Sequence, residues 1–196
     1  MAYIRQNEAT EPVEAKKLTR KEKTEVLKIA AAMYMSKRDF WPSFEVQINL
    51  HLRADLICVS RDYRIVIVEV KSSKADFESD KKWERYLPFC DEFYFCADDD
   101  TCKNIRESIE KEHPEVGYLE LRSFSDVYPD SIYKTKRSKI QNEALDRLKM
   151  LWLISRTNCL FLRGMYKGLH KINPNLISPN WNIDKNYKGH LGGLED

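Results

Sequence analysis

Two nearly continuous apolar runs, Ala54–Ser60 and Arg64–Lys71, stand only three residues apart, and that spacing constrains the fold more than any other feature. Runs of Leu, Ile, Val and Cys this short and dense read as strands covered on both faces, as in an α/β protein. With Arg61-Asp62-Tyr63 as the loop, the two runs form a hairpin whose register sets residue 55 opposite residue 69. A two-residue loop would shift the register by one and send those residues to opposite faces. Period-two geometry places Glu69 and Lys71 on one face and Val68 and Val70 on the other. Residues opposed across a strand pair hold their Cβ atoms about 5 Å apart. Two carboxylates, Asp55 and Glu69, therefore converge beside the ammonium of Lys71.

Charge at the end of a doubly covered strand is costly unless it is paired or bound to a metal. A hard divalent cation satisfies the first requirement of such a pair, since Mg²⁺ takes one or two carboxylates and keeps several waters. An ion there can polarise a phosphoryl oxygen and lower the pKa of a water. Lys71 then orients the attacking water or stabilises charge on phosphorus. The other reading is a buried Asp–Lys–Glu cluster that only fixes strand register, because structural ion pairs also collect at strand ends. Glu-x-Lys alone decides nothing, for Glu14-Ala15-Lys16 repeats it in a polar stretch.

The flanking sequence supplies the other elements. Thr19-Arg20-Lys21-Glu22 has the form of a capping box. Val26, Leu27, Ala30, Met33 and Tyr34 then recur at helical spacing, predicting a helix to about Lys37, with Pro42 helping to end the segment. Phe44, Val46, Ile48 and Leu50 alternate with polar residues as a half-buried strand does. A second helix is predicted from Ser73 to about Tyr86, followed by a strand at Asp91–Ala97. Beyond these come a helix over 101–112, a short strand near Gly117–Leu121 and a long helix from about Ile140 to Phe161. Residues 1–16 read as a loose polar arm, 17–162 as one domain, and 163–196 as an irregular tail.

Composition excludes several classes. No apolar run approaches the roughly 20 residues that span a bilayer, and the start lacks the basic-then-apolar order of a signal peptide. A cytoplasmic protein is expected. The five cysteines, at 58, 90, 96, 102 and 159, show no C-x-x-C spacing, so reduced thiols are expected rather than zinc. His51, His113, His170 and His190 form no catalytic spacing, and no Gly-rich phosphate loop points to ATP. Net charge is only +2, but Lys16–Lys21 and Lys134–Lys139 are locally basic. Such runs contact phosphates only where they lie on a binding face.

The order helix, three strands, helix, strand, with Asp55 and Glu69-Val70-Lys71 on the second and third strands, resembles the PD-(D/E)XK, or restriction-endonuclease-like, nuclease superfamily. Within it, Glu69-Val70-Lys71-Ser72-Ser73-Lys74-Ala75-Asp76-Phe77, then Asp80, Lys82-Trp83, Tyr86, and Cys90-Asp91 before Phe93-Tyr94-Phe95, closely resembles the MmcB-type DNA repair proteins. The resemblance covers about residues 20–160 and is most specific over 53–97. One departure is His51-Leu52-Arg53, where that family tends to have Gly-Arg-Arg.

By resemblance, Asp55, Glu69 and Lys71 map to catalytic positions, and Asp55, Glu69 and the upstream acid Glu45 to metal positions for Mg²⁺ or Mn²⁺. Glu45 reads equally as a solvent-facing strand residue. Arg53, Ser73, Lys82 and Tyr86 are candidates for contact with substrate, against surface or capping roles. For Asp76 and Trp83, helix capping and packing are the favoured readings. The fold expected is a restriction-endonuclease-like α/β core with additional C-terminal helices.

Two function classes follow. One is a metal-dependent DNA endonuclease in repair, working near the nucleoid; the other is a non-cleaving module of the same fold that docks on DNA or on another repair protein. An intact Asp…Glu-x-Lys set favours the first, and the modest net charge favours the second. An RNA-directed nuclease would share the same chemistry. A homodimer would suit the cutting of two strands, although no residue argues for one.

Overall fold

The computed structural model describes residues 18–124, 131–140, 142 and 144–158. The readings for 1–16 and 163–196 lie outside the described residues. Helix α1 (Arg20–Ser36) opens on the expected capping box, Thr19 accepting from the Glu22 amide while Glu22 reaches back to the Thr19 amide. A six-stranded sheet follows in the order β1-β2-β3-β4-β5-β6. Its strands are β1 (Phe40–Asn49), β2 (Leu52–Ser60), β3 (Ile65–Val70), β4 (Glu92–Asp98), β5 (Gly117–Leu121) and β6 (Ile132–Lys136). The first three form an antiparallel meander. β4 and β5 run parallel to β3, and β6 turns back antiparallel at the far edge.

The β2–β3 loop is the three-residue turn read from the sequence. Ser60 N donates to Arg64 O at 3.0 Å, closing Arg61-Asp62-Tyr63. Tyr63 adopts φ 61°, the left-handed third position such loops require. Leu56 opposes Val68, Ile57 opposes Ile67, and Cys58 opposes Val66. Continued by one pair, that register sets Asp55 opposite Glu69.

The sheet separates two apolar layers. On one side α1 lays Leu27, Ala31, Tyr34 and Met35 over Leu56, Val66, Val68 and Cys96. On the other side lie α2 (Lys74–Ser79), a 3₁₀ segment Trp83–Phe89, α3 (Asp99–Ile109) and α4 (residues 147–158). Phe77, Trp83, Tyr86, Ile105 and Met150 pack there against Ile57, Ile67, Phe93 and Phe95. Strands covered on both faces explain why β2 and β3 are apolar without alternation. Cys58, Cys90, Cys96 and Cys102 are free buried thiols within these layers.

Four expectations need correction. β1 begins at Phe40, and Pro42 sits within it, tolerated because β1 is an edge strand. The helix expected over 73–86 is two pieces: α2 ends at Ser79, Asp80 is extended (φ −87°, ψ 98°), and the chain resumes as a 3₁₀ segment. The long helix begins at residue 147 rather than near Ile140, with Asp146 accepting from the Lys149 amide at 2.9 Å. β6 was not anticipated, because Tyr133, Lys134 and Thr135 are all exposed and leave no apolar alternation to read.

Candidate active site

The site forms where β2 and β3 stop pairing. Beyond Leu56 and Val68 the ladder gives way to side chains. Glu69 Oε1 accepts from the Asp55 amide at 3.1 Å, and Asp55 Oδ2 accepts from the Val70 amide at 3.0 Å. Each carboxylate thus occupies the gap between the strands that a backbone bond would fill. Backbone donors of this kind are strong and directional, so both acids are held in place. Lys71 closes the cluster, its Nζ lying 3.8 Å from Glu69 Oε2.

β1 extends the row. Phe44 opposes Leu56 and Val46 opposes Ala54, so Glu45 stands across from Asp55. Glu45 has φ 53°, an uncommon conformation for a residue with a side chain. The buried positions switch phase there: Phe40 packs toward α1, whereas Val46 and Ile48 pack on the opposite side. Glu45, Asp55 and Glu69 therefore fall in one line across three strands. Glu45 is nonetheless engaged elsewhere, by Lys28 and by Arg53 Nε at 2.9 Å.

Two residues that sequence reasoning did not assign complete the cluster. Lys28, only 8% exposed on α1, reaches both Glu45 and, at 3.2 Å, Asp55 Oδ1. Its only sequence signal is a lysine in register with Ala31, Ala32 and Met35 on a helix that buries that face. Asp80 Oδ2 lies 2.6 Å from Lys71 Nζ. It is the extended residue at which α2 ends.

The remaining candidates divide. Tyr86 Oη donates to Arg53 O at 2.8 Å, tying the 3₁₀ segment to the strand that carries Asp55. Arg53 keeps an exposed guanidinium beside Glu45. Ser73 caps α2, accepting from the Asp76 amide at 3.2 Å. Lys82 is exposed, and its backbone amide donates to Asp80 Oδ1 at 2.9 Å. Asp76 ties Ser72 to Arg20 of α1, and Trp83 packs between Phe93 and Phe95. Leu52, at the position where the resembled family tends to be basic, is buried in the core.

The electrostatics of the cluster are uneven. Burial, then the charge of Asp55, pushes Glu69 up to about 8 in spite of Lys71. Burial also raises Asp55, outweighing Lys28 and the Val70 amide. For Lys71, burial opposes the charge, but Glu69 and Asp80 outweigh it and hold its pKa above the ordinary value. Lys28 follows the same pattern through Glu45 and Asp55. Burial, then the charges of Glu69, Asp80 and Asp55, raises the Tyr86 hydroxyl, so it remains a neutral donor.

These donors suit a hard cation. Asp55 and Glu69 offer adjacent oxygens, and burial together with the charge of Asp55 raises Glu69 although Lys71 stands beside it. Among the described residues no three His, Cys, Asp or Glu side chains stand together as a metal-holding group. Mg²⁺ does not need three, since it combines one or two carboxylates with waters.

Helix α1, the β1–β3 meander, α2 and a fourth strand parallel to β3, with acids at the β2–β3 fork, define a restriction-endonuclease-like α/β core. Residues 12–115, more than half of the chain and including every site residue above, match the family described as DNA repair protein MmcB-like. The chain belongs to that family. A solved protein of unknown function from Silicibacter pomeroyi shares the fold, with a TM-score of 0.57 at 21% identity over 84% of this chain and 99% of that one. A repair endonuclease from Pyrococcus abyssi gives a TM-score of 0.33 at 20% identity over 50% of this chain and 46% of that one, too slight a likeness to carry an argument. No curated protein matches the chain. Among the described residues no helix is long and apolar enough to cross a membrane.

Proposed function

We propose that the chain is a Mg²⁺- or Mn²⁺-dependent DNA endonuclease acting in repair. The observation that carries the reading is the fork itself, where the buried Glu69 and the partly buried Asp55, each held by a backbone amide of the other's strand, meet beside Lys71. A bound divalent ion would supply Lewis acidity toward a phosphoryl oxygen and activate water. Asp55 and Glu69 would hold it, each already oriented by a backbone amide. Lys71, held by Asp80, would donate to the attacking water or to the charge that develops on phosphorus. Lys28 favours the ionised form of Asp55 against its burial, and the exposed Arg53 can meet a phosphate.

The second reading is a non-cleaving module, which docks on DNA or on a repair partner. It is favoured by the engagement of every acid in the cluster with Lys28, Lys71 or Arg53, which a purely structural cluster would also show. A partner that helps to grip DNA also fits the net charge of +2.

Incubation of the purified protein with single-stranded, duplex and branched DNA, and with RNA, in Mg²⁺ or Mn²⁺ separates the readings. Cleavage that disappears in Glu69→Ala and Lys71→Ala, with circular dichroism unchanged, supports the enzyme. No cleavage with either metal, or equal cleavage by Glu69→Ala, rejects it.

A further inference from the structure

The basic run at 134–139 takes no part in the fork. β6 carries it along the far edge of the sheet, and Lys134 and Arg137 line, with Arg38 and Arg64, a cleft of about 290 Å³. Val66, which lines the cleft, and Glu69 are three residues apart on β3, so the cleft lies about 10 Å from the fork along the strand.

Charge in the cleft is one-sided, with four cationic side chains against one carboxylate, Glu92. Glu92 is already engaged, by Arg64 at 3.3 Å, by Arg137 at 3.8 Å and by the Tyr94 hydroxyl at 2.5 Å. Asp62, outside the cleft, holds Arg64 Nε at 3.0 Å. Lys134 has no side-chain partner among the described residues. Two of the guanidiniums are fixed on aromatic rings. Arg38 stacks 3.5 Å from the Tyr34 ring centre and donates to Tyr34 O at 3.0 Å, and Arg64 stands 5.4 Å over Phe40. Arg64 is spent on Asp62 and Glu92, but Arg38 gives only Nη1 to Tyr34 O and Arg137 only Nη2 to Glu92, so their other N–H groups, with Lys134, remain to meet an anion, and a guanidinium matches phosphate geometry. The volume suits one nucleotide-sized group, and a duplex would not enter.

We propose that this cleft binds the phosphate of a nucleotide, carried either by a free nucleoside monophosphate or by the end of a single nucleic-acid strand. The proposal does not depend on cleavage at the fork, so it is tested in EDTA. Binding of labelled single-stranded DNA, with and without a 5′-phosphate, is followed by anisotropy, with a nucleoside monophosphate and the matching nucleoside as competitors. The double variant Lys134→Gln/Arg137→Gln removes two exposed charges. Lys103→Gln/Lys111→Gln removes two exposed charges elsewhere and leaves the same net charge. Affinity for the phosphate-bearing probe is expected to fall about tenfold or more in the cleft variant, with the salt slope reduced by about one per lost contact, and to hold in the control. Competition by the monophosphate but not the nucleoside, with no dependence on the strand's 5′-phosphate, assigns a free nucleotide. Tight binding that needs the 5′-phosphate and resists the monophosphate assigns a strand end. The proposal is overturned if the cleft variant binds every probe as the wild type does, or if both variants lose affinity equally.

Discussion

At Glu69 a carboxyl group is almost wholly buried beside a second carboxyl, and a pKa near 8 ties the stability of the fold to pH. The native value lies above that of the unfolded chain, so this group's contribution is fully present below about pH 4.5 and is lost as pH rises through 8. A carboxyl whose pKa rises by one on folding links about 1.4 kcal/mol of stability to pH, so the effect is measurable. Lys28 and Lys71 are raised as well, but their contributions are lost only above about pH 10.5 and do not mask it. The melting temperature in EDTA is therefore expected to fall between pH 5 and pH 8, and Glu69→Gln is expected to flatten that slope. An unchanged slope in the variant would place the titrating group elsewhere. Asp80 gives a second prediction, because it holds Lys71 from a partly buried position at the edge of the cluster. Asp80→Asn is expected to lower cleavage about 10- to 100-fold while melting normally, as loss of an orienting partner does. Asp55, Glu69 and Lys71 were legible in the sequence because one loop length and a period of two fix their meeting. Lys28 and Asp80 were not, since they arrive from other elements and local spacing says nothing about them.

Elements announced themselves where their signal is local. The capping box marks the start of α1 because Thr19 and Glu22 satisfy free amides within a single turn. The hairpin loop is equally local. The break at Asp80 is not, because residues 74–86 carry acceptable helix formers throughout. What divides them is the pull of Lys71 on Asp80 and the packing of Trp83 and Tyr86 under the sheet. β6 is the opposite case, a real strand whose exposed residues read as a charge run. Helix α2, at six residues, is too short to hold itself and leans on its cap and on Phe77. Ser73→Ala removes the acceptor for the Asp76 amide and is expected to cost about 1 kcal/mol. For a domain of this size that lowers the melting point by roughly 2–4 °C. A drop of that size accompanied by weaker cleavage would show that α2 also sets the position of Asp80, whereas an unchanged melting point would mean that Phe77 alone holds the helix.

Across the whole molecule, the sheet isolates two apolar layers and leaves its polar chemistry at its ends. Apolar density in β2 and β3 made the covered sheet readable, but not which helix lies on which face, a matter of long-range packing. The fork sits at the end of the β2–β3 ladder, where both layers meet the same two strands, so an ion bound there would add to the polar ties that Arg20–Asp76 and Lys28–Asp55 already make. A ligand that binds the native state alone stabilises all of it, by about 2.7 kcal/mol at a hundred times its dissociation constant. That corresponds to a rise of roughly 5–10 °C for a domain of this length. Because Glu69 must give up its proton to bind, the rise produced by millimolar Mg²⁺ or Mn²⁺ is expected to be larger at pH 8 than at pH 6. It is expected to vanish in Glu69→Gln and to be absent when NaCl supplies the same ionic strength. Equal stabilisation of wild type and variant would put the ion somewhere other than the fork, and with it the chemistry assigned to Asp55, Glu69 and Lys71.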